Sequence, residues 1–173
     1  VLIGLAVQSD LLGANSIDLE AVIMAGGRGS RLRPMTDDVP KPMLRIGGVP
    51  VLERIIHQLR SSGIRKIYLT THFKAEVIYD YFGDGGRFGV EIDYVHEDEP
   101  LGTAGGIGLI GQFSSRFVII NADVLSELDF ATMLDFHVEQ EAFLTVAATE
   151  HRYEVPFGVL EHDNGIVTAL SEK

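Results

Sequence analysis

The stretch EAVIMAGGRGSRLRPMTDDVPKPM, residues 20–43, decides how the rest of the chain is read. It opens on an apolar run with the length of a buried strand. The run breaks into Gly26, Gly27 and Gly29, which remove side chains where backbone N–H groups can approach an anion. Arg28, Arg31 and Arg33 come next, and Pro34, Pro40 and Pro42 stiffen the connection around Lys41. Arginine suits bidentate contact with a phosphate, and lysine supplies a point charge. A strand, glycines, cations and prolines in that order point to an anion-binding loop rather than a solvated surface turn.

The loop stands out against an acidic background. Lys and Arg number 14, Asp and Glu 25, giving a net charge of −11. A nucleic-acid-binding surface needs a basic field, so that class is excluded, and the local cations are aimed at a small anion. The 173 residues suffice for one domain with a core, and no apolar run is long enough to span a membrane. Cysteine is absent, which removes disulfides and thiolate metal sites and fits a reducing compartment such as the cytoplasm. The six histidines show no metal-ligand spacing and read as surface or structural residues. Phe73, Tyr79, Tyr81 and Phe82 read as packing rather than a base-stacking platform.

Beyond the loop, apolar runs alternate with amphipathic stretches. Residues 50–63 place Val51, Leu52, Ile55, Ile56 and Leu59 on one helical face, with Gly63 as the C-terminal stop. Residues 64–72, 90–97, 116–123 and 142–150 read as strands, and residues 74–85 and 130–140 as helices. Residues 103–113 read as a helix weakened by its glycines, and the end of the chain as a hairpin turning at Asp163-Asn164-Gly165. Alternation of strands and helices predicts an α/β fold with a mostly parallel sheet. Ligands of such sheets sit beyond the carboxyl ends of the strands, which puts the glycine loop and the Asn121–Asp123 turn on one crevice. Residues 1–19 differ. A strand and a helix start run into GANSIDLE, which reads as the end of a preceding domain plus a linker, with the main domain at 20–173.

Two standard nucleotide loops do not apply. There is no G-x-x-x-x-G-K-[ST], and the G-x-G-x-x-G at Gly106, Gly108 and Gly111 lacks a strand before it and an acidic residue after it. Instead, the loop resembles the signature of the sugar-1-phosphate nucleotidylyltransferases, the nucleotide-sugar pyrophosphorylases. Their pattern of a glycine-rich loop, Arg-Leu, a proline and Pro-Lys-Pro is met by residues 26–32, Pro34 and residues 40–42, with Ser30 where threonine is usual. The resemblance continues in order through EDEPLGTAGGI, VIINADVL, VPFGVLE and LSEK, covering residues 20–173.

It implies the three-layer, Rossmann-like α/β/α nucleotide-diphospho-sugar transferase fold, with the domain incomplete at its C-terminal end. The implied reaction joins an NTP to a sugar 1-phosphate with release of pyrophosphate. Because the nucleophile is already a phosphate oxyanion, that reaction needs positioning and charge neutralisation rather than a strong base. Arg31 would hold the β- and γ-phosphates and Lys41 the phosphates at the reacting centre. Asp123 would coordinate Mg2+, the implied cofactor. Ala25, Gly26, Gly27, Gly29 and Ser30 would wrap the nucleotide, and Glu97, Gly102 and Thr103 would lie near it. Gly158, Glu172 and Lys173 would meet the sugar. LGTAGG is closest to the guanylyltransferase type, favouring GTP and a mannose-1-phosphate-like acceptor, although cytidylyl and uridylyl relatives use similar loops. The family has Gly-Asp where this chain has Ala122-Asp123, a costly change if the position needs positive φ or close approach of a ligand. VLIGLAVQSDLL resembles the end of a CBS domain, and a second metal-binding aspartate would fall beyond Lys173. The implied partners are an NTP and a sugar 1-phosphate, with no nucleic acid or membrane and with room for a homo-oligomer. A nucleotide-binding regulatory module without turnover is the alternative.

Overall fold

The computed structural model describes the backbone of residues 3–6, and residues 19–99, 101–102, 104–113, 116–150 and 157–171. Its centre is a six-stranded sheet in the order β6-β5-β2-β7-β1-β8. Four of these strands, β6 (Glu91–His96), β5 (Lys66–Thr71), β2 (Leu19–Met24) and β7 (Arg116–Asn121), run parallel. The segment Ile3–Ala6 forms β1, antiparallel to both β7 and β8 (Leu144–Ala147). The helix start and linker expected at 7–18 lie outside the described residues.

Period-two burial aims one face of the sheet at the main core. Leu19, Ala21 and Ile23 of β2, Ile67 and Leu69 of β5, and Val118 and Ile120 of β7 join a single buried cluster. Helix α1 (Val51–Ser61) adds Leu52, Ile55, Ile56 and Leu59, the face expected from its period, and turns off at Gly63. Helix α2 (Ala75–Phe82) adds Ile78 and Phe82, and α3 (Phe130–Glu139) adds Phe130 and Met133. Asp129 caps α3 by accepting hydrogen bonds from the Ala131 and Thr132 amides at 2.9 and 3.3 Å.

The opposite face holds Tyr68 and Thr70 of β5 and Phe117 of β7. Phe113 stacks on Phe117 and meets Tyr68 edge-on, with ring centroids 3.8 and 5.4 Å apart. The helix expected at 103–113 is instead a 3-10 segment, Gly105–Leu109. Its glycines press against neighbours too closely for side chains: a Cβ on Gly105 would stand 2.4 Å from Leu101 Cβ, and one on Gly106 would stand 3.0 Å from Thr70 Cγ2. Glycine favours such close approach at the expense of helix stability.

Strands β3 (Arg45–Ile46) and β4 (Val49–Pro50) make a short hairpin ahead of α1. Strands β9 (Val159–Asp163) and β10 (Ile166–Ser171) form a separate two-stranded sheet. Its turn residues, Asn164 and Gly165, both have positive φ, as the tight turn expected there demands. Among the described residues no helix is long and apolar enough to cross a membrane.

One core histidine has a measurable consequence. His137 of α3 is buried, and its Nδ1 lies 2.8 Å from Thr145 Oγ1. Burial, reinforced by the positive charge of Arg116, lowers its pKa below the ordinary 6.5. Below pH 6.5 the unfolded chain binds a proton that the folded chain refuses, so stability falls with pH until the folded pKa is passed. Melting curves between neutral and mildly acidic pH should show a steeper acid loss for the unmodified protein than for His137→Gln. Equal slopes would remove His137 as the cause.

Candidate active site

The carboxyl ends of β6, β5, β2 and β7 open into one cavity of about 480 Å3. Ala25, Gly26, Gly27, Gly29, Ser30, Arg31, Lys41, Glu97, Gly102 and Asp123 all line it, so most of the residues singled out from the sequence come together. Thr103, Glu172 and Lys173 lie outside the described residues. Gly158 is exposed just before β9 and is not among the lining residues.

The glycine loop leaves β2 through Ala25, whose amide donates to Thr70 O at 3.0 Å. Gly29 then adopts the left-handed conformation at φ 62 and starts the 3-10 turn Ser30–Leu32, which carries Arg31. A side chain at Gly29 would meet Lys41 Cβ at 3.0 Å and Thr36 Cγ2 at 3.1 Å. Gly29 is therefore where the two arms of the loop touch, and only glycine satisfies both the space and the backbone there. Thr36 locks the contact: it is buried, and its Oγ1 donates to Gly29 O at 2.9 Å. Outside the loop, Lys74 Nζ donates to Asp37 O at 2.6 Å and ties the loop to the end of β5.

The cations divide by partner. Arg33 pairs with Asp37 at 3.3 Å on the exposed side. Arg28 and Arg31 line the cavity, and neither side chain has an ion pair or hydrogen bond among the described residues. Lys41 Nζ donates to Asp123 Oδ2, closing a contact between groups 82 residues apart in sequence. Asp123 follows β7 immediately after Ala122, whose amide donates to Met24 O at 3.0 Å. Ala122 has no positive φ, and its methyl group is buried in the main core. The substitution for glycine therefore carries no backbone strain, and Ala122 also lines the cavity.

Sequence reasoning placed the Asn121–Asp123 turn on the crevice, and Asn121 lines the cavity. It missed Thr36, Thr70 and Gly106, of which Thr70 and Gly106 line the cavity. The period-two pattern of β5 could have marked Thr70 as facing away from the main core. Thr36 carries no local signal, since its role exists only once Gly29 and Lys41 meet.

The nucleotidyl transferase family model matches residues 20–173, from β2 through β10 and so across the whole cavity. The chain belongs to the nucleotidyl transferase family. It is 42% identical over 158 residues to a mannose-1-phosphate guanylyltransferase of Mycobacterium tuberculosis, covering 90% of this chain and 44% of that protein. It is 36% identical over 171 residues to a UTP–glucose-1-phosphate uridylyltransferase of Synechocystis, with the same two coverages, 90% and 44%. Among solved structures, HddC from Yersinia pseudotuberculosis complexed with GMP-PN matches with a TM-score of 0.61 and 29% identity, over 89% of this chain and 69% of that one. This nucleotidyl transferase chain thus spans less than half the length of those two sequence relatives, and its fold is that of known sugar-phosphate nucleotidyltransferases.

Proposed function

We propose that the protein carrying this domain transfers a nucleotidyl group from an NTP to a sugar 1-phosphate, with GTP and a mannose-1-phosphate-like acceptor favoured. The observation that carries this reading is the pair Arg28 and Arg31, unpartnered among the described residues on a glycine loop of a strongly acidic protein. Cations without carboxylate partners that line a cavity focus its field on a ligand anion.

In the proposed reaction an oxygen of the sugar phosphate attacks the α-phosphorus of the NTP. The bond from that phosphorus to the α,β-bridging oxygen breaks, and pyrophosphate leaves with the electron pair. Arg31 holds the leaving phosphates and neutralises the charge that grows on them. Lys41, beside Asp123, orients the reacting phosphate. The glycine-loop amides line the same phosphates.

Asp123 is the residue that would hold Mg2+. The fit is supported by the ammonium of Lys41, which already sits on the Asp123 carboxylate as a cation would. No group of three or more His, Cys, Asp or Glu that could enclose a metal occurs among the described residues, so most ligands would come from phosphate oxygens and water, the ordinary habit of Mg2+. When bound, Mg2+ supplies charge neutralisation across the phosphates.

In the nucleotide-free state Lys41 and the metal compete for Asp123. Lys41→Met should tighten Mn2+ binding, read by electron paramagnetic resonance, about two- to fivefold, the scale of an exposed ion pair. The same variant should bind NTP more weakly. Unchanged or weaker Mn2+ binding would show that the pair does not block the metal. The catalytic reading itself is tested by following pyrophosphate release with NTP and sugar phosphate. A non-catalytic regulatory module would bind NTP tightly and yield no product.

A further inference from the structure

Arg31 and Lys41 are anchored unequally. Lys41 begins the 3-10 turn Lys41–Met43, in which Pro42 and Met43 are buried, Met43 in the main core. The turn that carries Arg31 has no such anchor. None of residues 27–35 is buried. Among the described residues, the hydrogen bonds and ion pairs of residues 27–35 stay within residues 27–37. A segment with so few buried contacts opens easily. A charge that neutralises a leaving group, by contrast, works only when it is held in place.

The tie comes from the next strand end. Lys74 Nζ donates to Asp37 O at 2.6 Å and lies 3.9 Å from Asp38 Oδ1. Asp37 follows Thr36, the buried residue whose Oγ1 donates to Gly29 O, and Gly29 starts the turn that bears Arg31. Lys74 itself stands between β5 and α2 in the left-handed conformation, at φ 53 and ψ 43. Asparagine or glycine adopts that conformation at lower cost, so lysine is here for its side chain and not for its backbone. Strain of this kind beside a ligand cavity points to function.

We propose that Lys74 is a positioning residue for the Arg31 turn: it clamps the carbonyl of Asp37 and so, through Thr36 and Gly29, sets where Arg31 meets the leaving phosphates. This rests on the nucleotidyl-transfer reading and adds the residue that fixes its leaving-group cation. Lys74 touches no reacting group. Its ammonium is occupied by the Asp37 carbonyl and lies 5.6 Å from the centre of the Phe73 ring. Without it, the Arg31 turn moves against a Lys41 that Pro42 and Met43 still hold, and the two cations no longer meet one triphosphate together.

Lys74→Asn separates the clamp from the fold, because asparagine suits the left-handed backbone and is too short to reach Asp37. In pyrophosphate release by the full-length protein its kcat should fall about tenfold to a hundredfold, the scale of a misplacement of ~1 Å. Its melting temperature should hold or rise. Lys74→Arg, whose guanidinium can also donate to a carbonyl, should recover most of the kcat. In an Arg31→Ala background, Lys74→Asn should cost almost nothing further, since its effect runs through a side chain already removed. Additive losses in that double-mutant cycle overturn the inference. So does an unchanged kcat in Lys74→Asn, or a loss that only follows a lowered melting temperature. In each of those cases the unmodified protein still releases pyrophosphate, and the nucleotidyl-transfer reading stands. No release by the unmodified protein from any pair of NTP and sugar 1-phosphate would remove that reading and this one together.

Discussion

Replacing Arg31 with alanine is expected to lower kcat/KM for pyrophosphate release by about a hundredfold to ten-thousandfold, the scale of losing one preorganised charge that meets a leaving phosphate. The side chain is exposed and has no partner among the described residues, so its removal costs the fold little. Unfolding midpoints should match the unmodified protein to within the usual scatter of surface substitutions. Arg31→Lys should recover only part of the activity, because an ammonium keeps the charge and loses the planar fork. A loss confined to KM would mean that Arg31 binds nucleotide equally in ground and transition states. A fall in kcat as well places its contact on the pyrophosphate as it departs. Steady-state kinetics over a range of NTP concentrations distinguishes the two.

Asp123→Ala is expected to be at least as damaging, with turnover falling about a thousandfold or more, since it removes the described carboxylate proposed to hold the metal. It also releases Lys41 from its ion pair. Two effects should therefore move in opposite directions. NTP binding without divalent metal should hold or improve, because Lys41 becomes free for phosphate. The tightening of NTP binding on adding Mg2+ should disappear. Calorimetry with and without Mg2+ reads both, and a variant that keeps its Mg2+-dependent gain in NTP affinity would show that the metal is held elsewhere.

The helices and strands were legible wherever burial follows a single period. Residues 51–59 repeat at helical spacing, and α1 buries that face. The apolar runs likewise marked β2 and β5 as strands. The segment at 103–113 was not legible, because its apolar residues fit a helix while its glycines serve close contact with Leu101, Thr70 and Glu97. Those contacts cross between elements and leave no periodic trace.

The same division runs through the site. Arg31 and Lys41 were legible as anion-binding cations because they sit on a glycine loop, and Asp123 as a crevice residue because it ends a strand; their individual roles came from the family resemblance. Their arrangement was not legible. The pairing of Lys41 with Asp123 and the seating of Glu97 between Gly26 and Gly106 arise only when the strand ends are brought side by side. Thr36, which holds Gly29 from within the loop, belongs to the same class. The departure at Ala122 looked costly in sequence, yet its backbone does not take the positive φ that would make alanine a strain.

The most direct test of the account is pyrophosphate release by the full-length protein across a panel of NTPs and sugar 1-phosphates, with Asp123→Ala as the control. The account predicts Mg2+-dependent release of one pyrophosphate per NDP-sugar formed, fastest with GTP and lost in the control. Tight NTP binding with no product from any pair, in a protein that is folded and supplied with Mg2+, would contradict it.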